Sequence, residues 1–275
     1  MRGERAILLA LTLSCTACAP ALMKLPLAPG TQPVDATTAL DAATRACRNL
    51  STITAEIGVS GSVGGRGLRA RMTAGLAAPA SARLEAVAPF GQPIFIFVAR
   101  DSDATLLLPG DRRVVEHGRP ADVLDAVAGV PLDAAALRVT LSGCAEAARA
   151  QDARQAGDNW RIVPADAGTL FLQRESSSAP WRLVAAEHRA ASGSWRAEYR
   201  DFRVSEPAAG LPQAVRLASL DGKRFDLRLA LSQLEINTTL GADAFTVQIP
   251  AGTEPITIDE LRRSGPLASS SSNAK

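Results

Sequence analysis

The sequence predicts a mainly β domain with helices, an α+β chain built on one long meandering antiparallel sheet, closed or nearly closed, with a few helices against it. Three observations carry this. From Ile53 onward the dominant hydrophobic period is two, the mark of half-buried antiparallel strands. Gly193, Gly210 and Asp221-Gly222 punctuate the later strands as turns. A period near 3.6 is confined to short stretches, so the order reads helix, strands, helices, strands.

The N-terminus comes first in the chain and outside the fold. Arg2, Glu4 and Arg5 form a charged head with net positive charge, and the run from Ala6 to Leu13 carries no charge. That is the layout of an export signal. A span needs roughly 20 apolar residues, and this run instead meets Ser14, Thr16 and Pro20. Ser14-Cys15-Thr16-Ala17-Cys18 puts two thiols where a cleavage site belongs, and it resembles the bacterial lipobox. Thr16 and Ala17 precede Cys18 as small residues should, although Cys15 stands where leucine is usual; Cys15 itself is the alternative, with a poorer match. The resemblance implies residues 1–17 as a signal peptide, lipid on Cys18 and a membrane anchor. The bland alternative is a plain signal peptide with a buried or bridged thiol pair.

Residues 18–34 then read as a lipidated tether, because Pro26, Pro29, Gly30 and Pro33 favour extended chain over a packed element. Asp35 to Leu50 is expected to be a helix, with Leu40, Ala43, Ala46, Cys47 and Leu50 on one face and Asp35 or Thr37 as its cap. The first strand group follows: Leu68, Met72 and Leu76 alternate with Arg69, Arg71 and Thr73, and Leu84 and Ala86 with Arg83 and Glu85. Gly58 to Gly67 reads as a flexible hairpin loop, not a phosphate cradle, because Gly61, Gly64, Gly65 and Gly67 open no helix.

Val87-Ala-Pro-Phe-Gly-Gln-Pro breaks the pattern, and Ile94-Phe-Ile-Phe-Val follows with both faces apolar. Such a strand must meet protein or lipid on each face. Phe90, between Pro89 and Gly91, is expected on a projecting turn, unless it folds back to plug the core. Pro120 to Val127 and Asp133 to Arg138 read as short helices split by Gly129-Val-Pro131, and Ala145 to Ala156 as a further helix. The second strand group runs through Trp160–Val163, Thr169–Gln173, Trp181–Val184, Trp195–Arg200, Ala214–Leu217 and Phe225–Leu231, with Asp221-Gly222 as a hairpin turn. The domain is expected over residues 35–263, and the serine-rich residues 264–275 as a disordered tail.

Composition narrows the function. The 275 residues suffice for one large domain or two small ones, and nothing forces two. A net charge of +2 with interspersed signs indicates neither a nucleic-acid footprint nor a polybasic membrane patch. Cys47 and Cys144 fit a disulfide in an oxidising compartment, and two separate buried thiols are the alternative. His117 and His188 have no ligand cluster in sequence, so no metal site and no cofactor are expected. No nucleophile elbow, phosphate loop or paired carboxylates appear, which favours a non-enzymatic protein.

With these motifs in hand, the chain resembles the outer-membrane lipoprotein receptor family LolB, within the group that includes the periplasmic carrier LolA. Pro89-Phe90-Gly91 is similar to the family's proline-leucine-glycine loop, with Phe90 at the leucine. The similarity continues through Ala128-Gly-Val-Pro-Leu132, Leu137-Arg138 and Gly143, then Trp195–Tyr199, Leu211-Pro212, Asp221-Gly-Lys223 and the strand to Ile236. It covers roughly Leu50 to Ile236, and the shared order of weak motifs carries it.

The resemblance implies a half-open β-barrel with a helical lid and an apolar cavity for the acyl chains of lipoproteins or lipid. It also implies a LolA-like carrier as partner, a membrane-contacting loop at Pro89, Phe90 and Gly91, and residence at the outer membrane facing the periplasm. Ala19 after Cys18 agrees with that location, since aspartate there signals inner-membrane retention in enterobacteria. Cavity-lining candidates are Leu68, Met72, Leu84, Phe95 or Phe97, and Leu227, Leu229 and Leu231; period alone leaves open which face lines the cavity, and core packing is the alternative for each. Phe245–Pro250 and Ile256–Arg262 extend beyond the LolB pattern and resemble the terminal strand of the carrier-like relatives, so a divergent relative is expected.

Overall fold

Short alternating segments joined by glycine turns can bury one face each only by pairing with their neighbours, and in the computed structural model they do so in sequence order. Residues 21–27, 30–87, 93–145, 148–189 and 193–264 are described. A short helix α1 (Ala36–Ala43) leads into β1 (Thr52–Val63), β2 (Arg66–Ala77), β3 (Ser81–Val87), β4 (Pro93–Arg100), β5 (Asp103–Leu108) and β6 (Arg113–Gly118). Helices α2 (Pro120–Ala128) and α3 (Ala134–Ser142) follow. The second series is β7 (Arg154–Ala156), β8 (Trp160–Ala165), β9 (Gly168–Gln173), β10 (Arg182–His188), β11 (Trp195–Phe202), β12 (Pro212–Ser219) and β13 (Phe225–Ile236). A two-residue strand β14 (Glu254–Pro255) and helix α4 (Ile258–Ser264) end the described chain.

The two meanders fuse where β13 returns to pair antiparallel with β1, giving one 14-stranded sheet in the order β14-β6-β5-β4-β3-β2-β1-β13-β12-β11-β10-β9-β8-β7. It is antiparallel throughout except at β14, which runs parallel to β6. The sheet does not close: β14 and β7 are its edges. Both edge strands are very short, which limits unpaired backbone open to another chain. The fold is thus a half-open antiparallel barrel with helical elements, as the alternation and the resemblance led one to expect.

Alternation decides the faces. In β1 Ile53, Ala55, Ile57 and Val59 are buried in the main core, and in β2 Leu68, Ala74 and Leu76, while Arg69, Arg71 and Thr73 face outward and are exposed. Helices α2 and α3 cover this inner face with Val123, Leu124, Val127 and Leu137. Their ends are locally encoded: Pro120 opens α2, and Gly129 closes it in the left-handed region with φ 69°. Asp133 then caps α3 by accepting from the Ala136 amide at 2.8 Å.

The outer face is covered by the two terminal segments. Leu25 packs on Ile162, Phe171 and Ala185. The Met23 amide donates to Glu198 Oε1 at 2.6 Å, and Arg196 donates to the Met23 carbonyl at 2.9 Å. Met23–Pro33, expected as an extended tether, has no helix or strand where it is described and lies along the sheet, with Thr31 bridging Gln155 of β7. After β13 the chain crosses β1 to β4: Thr52 donates to the Thr238 carbonyl, Arg83 to Ala244 and Thr246, and Arg100 to Ala242. A 3₁₀ turn at Ala242–Phe245 lies against β3 and β4 and buries Phe245. This strap provides the protein contact that the doubly apolar strand β4 requires on its outer side.

Several local expectations fail for stated reasons. The first helix starts without a side-chain cap, because Asp35 is taken by Arg161, and it stops at Ala43, where a 3₁₀ turn at Arg45–Cys47 follows. Ala145–Ala156 forms no α-helix where it is described: a three-residue 3₁₀ turn at Ala150–Asp152 stands between the Ala148–Ala165 bridge and β7, which pairs with β8. Gly58–Gly67 is no loop either, since Gly58 and Gly61 lie within β1 and Gly67 within β2, leaving the turn to Gly64 and Gly65. Gly61 is there for close approach: with φ at 138°, a Cβ would stand 1.9 Å from the Asp226 carbonyl oxygen of β13. Phe245–Pro250 forms no strand, and Ser264 ends α4 instead of beginning a tail.

Candidate functional site

Between the inner face and the two helices lies a cavity of about 80 Å³ with fifteen lining residues, all apolar. The sheet wall comes from β1, β2, β3, β4, β12 and β13, because their inward residues at the same level share one side. Leu68, Met72, Leu84, Phe95, Leu227 and Leu229 are on it. Phe97 and Leu231, the other two candidates, are buried in the same core but do not line this cavity.

The opposite wall is helical: Leu124, Val127 and Ala128 of α2, Val130 and Leu132 of the connection, and Leu137 of α3. Sequence reasoning missed these six. Their spacing was legible as helix, but a helical stripe says only that something apolar covers it, not that a hollow remains beneath.

The cavity holds no titratable side chain, and its size bounds what it can do. A dry apolar cavity of about 150 Å³ accommodates benzene, so 80 Å³ takes only a few methylenes.

Elsewhere the structure brings distant residues together. Cys47 and Cys144 are disulfide-bonded, with their Cα atoms 5.8 Å apart, which ties the turn after α1 to the end of α3. His117 is exposed beside Asp103 at 3.3 Å. His188 stacks on Trp195 with ring centroids 4.0 Å apart, and burial lowers its pKa to about 4. Among the described residues no group of three or more His, Cys, Asp or Glu is placed to hold a metal ion. The buried Arg161 guanidinium donates to both carboxylate oxygens of Asp35, at 2.7 and 3.0 Å, and this pairing holds the Asp35 carboxyl below its usual range. Cys15, Cys18, Pro89, Phe90 and Gly91 lie outside the described residues.

No family model matches the chain, and no curated protein does. Among solved structures, a LolA superfamily protein of Nitrosomonas europaea aligns over 77% of this chain and 97% of its own, with a TM-score of 0.54 and 12% identity. A putative outer membrane lipoprotein-sorting protein domain of Vibrio parahaemolyticus aligns over 76% of this chain and 97% of its own, with a TM-score of 0.47 and 12% identity. At such identity the likeness is one of architecture, and the half-open barrel with helices on its inner face is the fold of that LolA superfamily protein.

Proposed function

We propose that this chain is a lipid-anchored, non-enzymatic acceptor of acyl chains that aids the insertion of lipoproteins or lipid into the outer membrane. The observation that carries it is the wholly apolar hollow between a concave sheet and two helices. Sheltering acyl chains from water is worth about 0.8 kcal/mol per CH₂, so an apolar wall is sufficient and no catalytic group is needed. Cys18, or Cys15 in its place, carries the lipid, and a LolA-like periplasmic carrier is the donor. The link between β3 and β4 contains Pro89, Phe90 and Gly91, and Phe90 meets the bilayer.

Mass spectrometry of the mature protein tests the anchor and the ligand together, reading the modified cysteine and any co-purified lipid. Phe90→Glu is expected to leave the melting temperature unchanged and to abolish delivery of lipoproteins to the membrane. Normal delivery by that variant would remove Phe90 from the mechanism. The small size of the cavity favours a second reading, a structural or assembly lipoprotein that binds a protein partner of the envelope. Recovery of the mature protein with no lipid would support it.

A further inference from the structure

A second hollow, of about 490 Å³, adjoins the apolar cavity and shares Leu68 and Val127 with it. Its chemistry is different. It is walled by the β1–β2 turn, the last turn of α2, Arg224 ahead of β13 and Arg262 of α4. Three guanidinium groups, Arg66, Arg224 and Arg262, face one carboxylate, Asp125. Asp125 Oδ1 accepts from Arg224 at 2.8 Å, and its Oδ2 stands 3.6 Å from Arg262, which also meets Asp259 at 3.1 Å. Arg66 is exposed and makes no ion pair among the described residues.

We propose that this hollow is a headgroup subsite for the phosphate of an anionic glycerophospholipid, whose acyl chains pass Leu68 and Val127 into the apolar cavity. The inference rests on the acyl-acceptor reading and narrows its ligand. An amphiphile joins its charge to its chains, so its site must place a cationic room directly beside an apolar one, as here. Guanidinium forks match phosphate oxygens in pairs. The acylated cysteine of a lipoprotein has no phosphate, so this subsite selects phospholipid over lipoprotein. Asp125 occupies Arg224 and sits beside Arg262, so it competes with the incoming anion.

The test is titration calorimetry on the full chain with three probes below their micellar concentrations: dioctanoylphosphatidylglycerol, dioctanoylglycerol with the same chains, and glycerol 3-phosphate. The phosphatidylglycerol is expected to bind at least about tenfold tighter than the diacylglycerol. Arg66→Gln with Arg262→Gln should erase that preference while diacylglycerol binding persists. Asp125→Asn should strengthen the preference, and it decides the matter if the double variant loses its melting transition. Equal binding of the two lipids by the wild type overturns the subsite and leaves the acyl-acceptor reading standing. Binding of neither lipid overturns that reading and the subsite with it. Glycerol 3-phosphate binding as tightly as the phospholipid overturns the lipid subsite in favour of a simple anion site.

Discussion

Asp35 stands immediately before a helix, where an aspartate ordinarily caps, yet its carboxylate is spent on Arg161, 126 residues away. A buried guanidinium without a partner costs more than a lost cap, so the long-range pair wins and the helix starts uncapped. His188 makes the same point in the opposite direction. Its ring lies flat on Trp195, half-buried, with its pKa lowered from 6.5 to about 4 by lost hydration. The unfolded chain binds a proton near pH 6.5 that the folded chain refuses until about pH 4, so stability falls as pH drops through that window. The loss is on the order of 2 kcal/mol after allowing for partial exposure. His188→Phe keeps the stacking and should flatten that part of the pH profile of the denaturant midpoint; an unchanged difference between pH 7 and pH 4.5 would discard the argument. Neither partner was visible in the sequence, because Arg161 reaches Asp35 from 126 residues away and Trp195 meets His188 only through the register of β10 and β11.

At the scale of elements, strands and helix ends were largely legible. Period-two runs mark β2, β3 and the later strands correctly, since alternation follows from pleat geometry alone. Pro120, Gly129 and Asp133 mark the ends of α2 and α3 by local backbone chemistry. What failed was the glycine-rich stretch and the alanine-rich stretch after Cys144, where composition points to loop and helix but pairing partners recruit strand. The cysteine pair belongs to this scale as well. It closes a sequence separation of 97 residues and pins α3 to the turn after α1. Loops near that length are worth about 2–5 kcal/mol when bridged. Cys47→Ser with Cys144→Ser should therefore lower the melting temperature by about 5–15 °C. An identical melting temperature with and without reductant in the wild type would show that the bridge adds no stability.

The whole molecule is governed by how one open sheet hides both faces. The helices cover the inner side, and the terminal segments cover parts of the outer side, Leu25 on one half and the strap through Phe245 on the other. The inner cover is the weaker seal, because a cavity remains beneath it. Ala128 lines that cavity from α2, and Ala128→Trp fills it. Overpacking costs about 1–3 kcal/mol, so the variant should fold with a slightly lower melting temperature and bind acyl chains at least about tenfold more weakly. Undiminished binding would place the chains elsewhere.

By itself the sequence determined most of the strands, which of their residues share a face, and where α2 begins and ends and α3 begins, because these follow from periods and caps spanning a few residues. It also made the cavity's sheet wall partly readable, through Leu68, Met72, Leu84, Phe95, Leu227 and Leu229. Only the tertiary structure decided that this face meets helices, that six helical and connecting residues complete the hollow, and that Arg66, Arg224 and Arg262 line the hollow beside it. Those depend on which distant segments come together, and burial and charge balance settle that over the whole sheet, beyond the reach of any local pattern.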